Sequence, residues 1–309
     1  MSGRRFTFVG VTTGSSSIVR IWPRWRDVLQ LGADVELVGR DIAVGAPPEA
    51  YRHAVRELID DPGAVGALVT THKIGIYQEG RALLADVDEL AALCGEVSCL
   101  AKRDGGLYGW AKDPLAAGLT LERVLSARHF RDDGGHVLCM GAGGSGTAIA
   151  LYLLARRPGG DHPDRLVVTD RSPQRLERLR ATLERLDHDS TVELEDADRH
   201  DRLLEELPPR SLVVNATGMG KDVEGSPLGD AARFPEGAVV WELNYRGRLD
   251  FLQQARAQAH ERGLTVEDGW IYFINGWSSV MEEVFRRPIS DEDLRALAAE
   301  AEFARPDGG

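Results

Sequence analysis

Short apolar runs bounded by small and polar residues alternate along this chain with longer stretches in which apolar residues return every three or four positions. These are the marks of buried strands and of amphipathic helices. Residues 7–11, 35–38 and 64–69 read as strands, with helices over 18–31, 49–60 and 76–84; Pro47 and Pro48 suit the first turn of the second helix. A further helix is predicted over 85–93. A hairpin follows, strands 95–102 and 107–110 about the turn Arg103-Asp104-Gly105-Gly106. Residues 116–126 read as a helix, and the polar stretch 128–135 precedes a second series. There strands 137–140, 166–169, 191–194, 211–217, 239–244 and 264–267 alternate with helices 147–155, 172–186, 199–206 and 249–262, the last closed by Gly263. The acidic run 193–198 reads as a solvated loop or helix start. Amphipathic helices over 269–285 and 290–303 end the pattern, the second with Ser290 as N-cap and Asp293 in its first turn. Strand–helix alternation of this kind builds α/β domains on largely parallel sheets.

The predicted strand 137–140 is followed at once by Gly141-Ala142-Gly143-Gly144-Ser145-Gly146 and then by a helix. That order gives a GxGxxG match its meaning. Gly141 permits the tight turn, Gly143 lets backbone approach a pyrophosphate, and Gly146 lets the helix pack on the strand. The N–H groups of the loop and the positive end of the helix then hold the anion. Asp170 ends the next strand, where an acid can accept hydrogen bonds from the adenosine ribose. An acid there repels a 2′-phosphate and favours NAD, while Arg171 beside it could pair with that phosphate. The expected cofactor is therefore NAD, with NADP open. Ligands of open α/β sheets bind beyond the carboxyl ends of the strands, which places Asn215, Thr217, Gly218 and Met219 where a nicotinamide could lie. The domains expected are an N-terminal α/β substrate domain over residues 1–115, completed by C-terminal helices 270–309, and a Rossmann-type dinucleotide-binding domain over 116–269, with a cleft between them.

Composition narrows the function. The 309 residues suffice for two cores, and 43% apolar with 28% charged content is ordinary for a globular protein. A net charge of −12 argues against nucleic-acid and anionic-membrane partners. No apolar run is long enough for a signal peptide or a membrane span, so the expected setting is the cytoplasm and the expected partner a small-molecule substrate, the protein being a monomer or homodimer. Cys94, Cys99 and Cys139 lack metal-ligand spacing, as do the eight histidines, and no metal is expected.

The candidate chemistry lies in Thr71-His72-Lys73 and Lys112-Asp113, each at the end of a predicted strand. Moving a hydride on or off an alcohol carbon needs a partner for the hydroxyl proton, and a Lys–Asp pair can supply it. From spacing alone, a surface salt bridge or unpaired charges would be the simpler reading. His72 could share the proton transfer or simply be packed or face solvent. Trp22, Trp25, Trp110, Trp270 and Trp277 read as core or cleft wall, and Trp270 with Tyr272 could narrow a substrate pocket.

Over nearly its full length the chain resembles the shikimate/quinate dehydrogenase family. Ser15-Ser16-Ser17 looks like the family's Ser-x-Ser loop. Leu68-Val69-Thr70-Thr71-His72-Lys73 looks like its Asn-Val-Thr-x-Pro-His-Lys segment, and Gly95-Glu96-Val97-Ser98-Cys99 like its Gly-Ala-Val-Asn-Thr strand. Its Asp-Gly-x-Leu-x-Gly-x-Asn-Thr-Asp run is similar to residues 104–113. The glycine loop, Asn215-Ala216-Thr217 and Tyr245 complete the likeness. The resemblance implies that Lys73 is the catalytic acid/base and Asp113 its partner at the substrate hydroxyl. It implies that Ser15, Ser17 and Thr70 hold a carboxylate or ring hydroxyls, and that Tyr245 and Gly269 lie near the nicotinamide and substrate. Ser98 occupies one of the family's two ring-gripping Asn positions and Leu68 the other; Gly276, with Asn275 beside it, falls at the family's Gln. A site that loses such hydrogen bonds discriminates differently. The reading is an NAD(P)-dependent oxidoreductase that transfers a hydride between the nicotinamide and a ring hydroxyl or ketone of a small, shikimate-like cyclic hydroxy-acid, within aromatic amino acid biosynthesis. The departures leave open a different cyclic polyol or amino-cyclitol, or an inactive dinucleotide-binding sensor.

Overall fold

The computed structural model describes residues 3–156, 158–221 and 223–306. The chain forms two compact units, Met1–Asp113 with Ile274–Arg305, and Pro114–Phe273. Twelve strands run through the described residues: β1 Arg4–Gly10, β2 Val35–Asp41, β3 Ala64–Val69, β4 Asp86–Val87, β5 Cys99–Arg103, β6 Gly106–Trp110, β7 Val137–Met140, β8 Arg165–Asp170, β9 Thr191–Asp196, β10 Leu212–Asn215, β11 Val239–Glu242 and β12 Thr265–Glu267.

The first unit is built on a six-stranded sheet in the order β2-β1-β3-β5-β6-β4. β1 lies parallel to β2 and β3, whereas the β5–β6 hairpin runs antiparallel. Asp104 and Gly105 both take positive φ, +47° and +83°, as a two-residue turn matched to strand twist requires. Aromatic rings fill one face: Phe6 packs on Trp22, Trp277 and Phe285, and Phe8 on Trp277. The Trp25 indole N–H donates to the Leu297 carbonyl at 2.7 Å, fastening the first helix to the last.

The second unit is a fully parallel sheet, β12-β11-β10-β7-β8-β9, the doubly wound dinucleotide-binding order with its switch point between β7 and β10. Leu138, Met140, Val167, Val213 and Val240 line its core with Phe234 and Phe251. The α/β class and Rossmann-type architecture read from the sequence therefore hold.

Several elements differ from expectation. Residues 85–93 are not one helix: Asp86–Val87 pairs with Tyr108–Gly109, and the helix Glu89–Cys94 starts only after Asp88, whose carboxylate accepts the Ala91 N–H at 2.8 Å. The polar stretch 128–135 holds the short helix His129–Asp133, anchored by buried His129 and Phe130. The acidic run 193–198 is mostly strand β9, with Glu193 paired to Arg165 of β8 at 2.7 Å. No helix among the described residues is long and apolar enough to cross a membrane.

Candidate active site

Lys73 is the first residue of the helix Lys73–Gly80, immediately beyond β3, and Asp113 opens the helix Asp113–Val124 just beyond β6. Lys73 Nζ donates to Asp113 Oδ2. The two side chains are only 17% and 10% exposed, so this is a buried pair rather than a surface one. Burial alone would lower the Lys73 ammonium; the Asp113 charge, then that of Glu96, outweighs it, and the proton is held more tightly than in water. His72 is buried, with Nε2 2.8 Å from the Ile42 carbonyl and its ring on Tyr51. Lys112 is committed elsewhere, to Glu283 at 2.7 Å, a carboxylate that Arg103 also contacts.

The other residues expected at the substrate are spread along the first unit. Ser98 is buried, and its Oγ accepts the Lys112 N–H at 2.7 Å, next to Asp113. The Thr70 hydroxyl donates to the Val9 carbonyl at 3.2 Å at the tip of β3. Ser15 is exposed with its hydroxyl on the Thr12 carbonyl at 3.0 Å, and Ser17 starts the helix Ser17–Val28. Asn275 is buried within the helix Trp270–Phe285. All three cysteines are buried with their thiols pushed up, Cys139 to about 12, so none is poised as a nucleophile.

In the second unit, Gly141 takes φ +114°, and a Cβ there would lie 2.6 Å from the Ala216 carbonyl oxygen. A Cβ on Gly146 would lie 1.9 Å from the Gly141 carbonyl oxygen, whereas one on Gly143 would meet nothing within 4 Å. The loop is thus closed on the protein side and open at Gly143. Gly144, Ser145 and Gly146 form the first turn of the helix Gly144–Leu151, whose leading N–H groups have no partner within the helix. Asp170 does not hold a free carboxylate outward: it accepts the Ala142 N–H at 2.9 Å and the Ser172 N–H at 2.8 Å, and Arg175 lies 3.5 Å away. Asp170, Arg171, Arg175, His200, Thr217 and Met219 line a cavity of about 170 Å³.

Beyond β10, the Asn215 Oδ1 accepts from the Thr217 N–H and hydroxyl at 3.1 and 2.6 Å. Gly218 takes φ +80°, and the Met219 carbonyl accepts from the Asn215 and Asn244 side chains at 3.3 and 3.1 Å. Fully buried Glu242 anchors both asparagines, accepting from Asn215 Nδ2 at 2.6 Å and from Asn244 N and Nδ2 at 2.7 Å. Burial pushes Glu242 up to about 7, against the pull of these bonds. Gly269 donates to the Asn244 carbonyl at 3.1 Å, and a Cβ there would fall 2.0 Å from the Leu243 carbonyl oxygen. Tyr245 packs on Trp270 and Phe273, and Tyr272 on Trp241, so these rings are packed against one another in the second unit. Sequence reasoning missed Glu96, Glu242, Asn244 and Arg175. Glu96 stood in plain view where the family's motif has alanine, and Glu242 as an acid ending an apolar strand.

The chain is 32% identical over 263 residues to the shikimate dehydrogenase (NADP(+)) of Symbiobacterium thermophilum, covering 83% of each. It is 30% identical over 227 residues to that of Streptococcus gordonii, covering 72% of this chain and 74% of the relative. The chain belongs to the shikimate dehydrogenase family. It is thus an oxidoreductase of the alcohol dehydrogenase type. Among solved structures, the shikimate 5-dehydrogenase of Thermus thermophilus in complex with NADP(H) and shikimate matches with a TM-score of 0.69 at 23% identity, covering 97% of this chain and 99% of that one. The 5-ketofructose reductase of a Gluconobacter strain matches with a TM-score of 0.68 at 21% identity, over 98% and 99%. No protein-family model matches the chain. The expectation of NAD over NADP is overturned: these family members are named for NADP(+). The physical reason lies at Asp170, whose oxygens are taken by backbone N–H groups while two arginines line the cavity beside it.

Proposed function

We propose that this family member is an NADP(H)-dependent dehydrogenase interconverting a ring alcohol and a ring ketone of a shikimate-type cyclic hydroxy-acid. The buried Lys73–Asp113 pair carries the reading. Bound NADP(H) would supply or take up the hydride. In reduction, the Lys73 ammonium gives a proton to the ketone oxygen as the carbon gains hydride; in oxidation, neutral Lys73 takes the hydroxyl proton as the hydride leaves. Asp113 orients Nζ and steadies its charged form. Ser15, Ser17, Thr70, Ser98 and Asn275 supply polar groups for the substrate.

The residues of the second unit fit the cofactor. Open space at Gly143 and the leading N–H groups of the helix Gly144–Leu151 suit the pyrophosphate, with Ala142, Ser145 and Gly146 shaping that turn. Arg171 and Arg175 suit a 2′-phosphate, with Asp170 bracing the loop. Asn215, Thr217, Gly218, Met219 and Gly269 shape the nicotinamide end.

The test is absorbance at the reduced-nicotinamide band with purified protein, NADP⁺ and a panel of cyclic alcohols and acids including shikimate. Turnover of shikimate or a close analogue, lowered about 10²–10⁴-fold by Lys73→Ala, is expected. No turnover of any cyclic alcohol despite NADP⁺ binding would overturn the reading.

A further inference from the structure

Gly95 takes φ +64° and closes the helix Glu89–Cys94, so the chain turns sharply into Glu96. The next residues are stitched to the site. Val97 N donates to the Lys73 carbonyl at 3.2 Å, Ser98 N to the Trp110 carbonyl at 3.0 Å, and Val69 N to the Ser98 carbonyl at 2.8 Å. Glu96 is 1% exposed, and its Oε1 has no hydrogen-bond partner. A buried carboxylate oxygen left so is uncommon and calls for an explanation. Three titratable groups act together with it: Lys73 from the helix Lys73–Gly80, Asp113 from the helix Asp113–Val124, and Cys94 from the helix before it. Burial keeps the Cys94 thiol neutral. The Lys73 ammonium is paired with Asp113 and also feels the charge of Glu96. Burial, then the Asp113 charge, pushes Glu96 up to about 7, with Lys73 pulling the other way.

We propose that Glu96 is a positioning residue for the proton chemistry, its buried carboxyl with one unpartnered oxygen setting how tightly Lys73 holds the proton it exchanges with substrate. With Glu96 ionised, Lys73 answers to two negative charges and keeps its proton. With Glu96 neutral, it answers to Asp113 alone and releases the proton more readily. The inference rests on the dehydrogenase reading above. The family motif quoted earlier has alanine here.

Glu96→Gln removes the charge and keeps the shape; Glu96→Ala gives the motif's own residue. In the oxidation of shikimate with NADP⁺, the limb of the pH–rate profile that reports deprotonation of Lys73 is expected to move down by about 1 pH unit in both variants. The KM for NADP⁺ should not move. Profiles that superimpose on wild type would overturn the proposal. A second measurement needs no turnover: ¹³C NMR of protein labelled at the glutamate side-chain carboxyl. The resonance missing from Glu96→Gln should titrate near neutral pH in the wild type and move to lower pH in Asp113→Asn. If that resonance titrates in the ordinary glutamate range and ignores Asp113→Asn, the proposal is wrong. A protein that turns over no cyclic alcohol defeats the dehydrogenase reading, yet the NMR titration still decides Glu96.

Discussion

Glu242 and Glu96 are both glutamates buried almost completely, one in each unit, and in both burial favours the neutral form. Their surroundings differ. Glu242 accepts three hydrogen bonds, and through Asn215 and Asn244 it fixes the turn from Asn215 to Met219. Glu96 has one oxygen with no partner and a neighbouring ion pair instead. A satisfied buried acid is a strut, because every donor around it is used and removing it leaves them stranded. An unsatisfied one keeps its response for the charges nearby.

The largest expected effect tests the reactive side of this contrast. Lys73→Ala should lower kcat by about 10²–10⁴-fold, the usual worth of a positioned acid/base, read in steady-state kinetics. Next comes the strut. Glu242→Ala strands three donors and opens a cavity, and should cost about 2–4 kcal/mol in denaturant unfolding. Glu96→Ala should cost clearly less, and equal costs would break the comparison. Third is a slope. A carboxyl raised in the folded state stabilises fully below its unfolded value and loses that contribution as pH rises through the folded one. For Glu242 the window runs from the ordinary 4.5 to about 7. The thermal midpoint should fall across it, and Glu242→Ala should flatten the fall. The smallest effect concerns open charge in the second unit, which lies on cations: Arg175→Ala should raise the KM for NADP⁺ about 10-fold.

The parallel sheet was the most legible part of the molecule. Its central strands are buried on both faces and read as unbroken apolar runs, such as Val137–Met140 and residues 212–214. Strand β3, Ala64–Val69, was read to the residue. The misread elements depend on distant partners: Asp86–Val87 is a strand only because Tyr108–Gly109 lies beside it, and His129–Asp133 is a helix held by two buried rings. The site divides the same way. Residue order pointed to the glycine loop, and the family resemblance to Lys73 and Asp113. What the oxygens of Asp170 already hold is a tertiary fact. The sequence offers an acid at a strand tip, and only the fold shows it spent on Ala142 and Ser172. The orphaned oxygen of Glu96 is hidden for the same reason.

The first unit is written in two instalments, with the whole second unit between them. During synthesis, Phe6 and Phe8 emerge early, but the Trp277 and Phe285 rings that cover them are translated only after the parallel sheet is complete. The intact dinucleotide unit can close on the ribosome as it appears, since domains fold as units in the order they are made. The unit bearing Lys73 must wait with an aromatic face uncovered until the last helices arrive, and in that interval the nascent chain most needs shelter from aggregation.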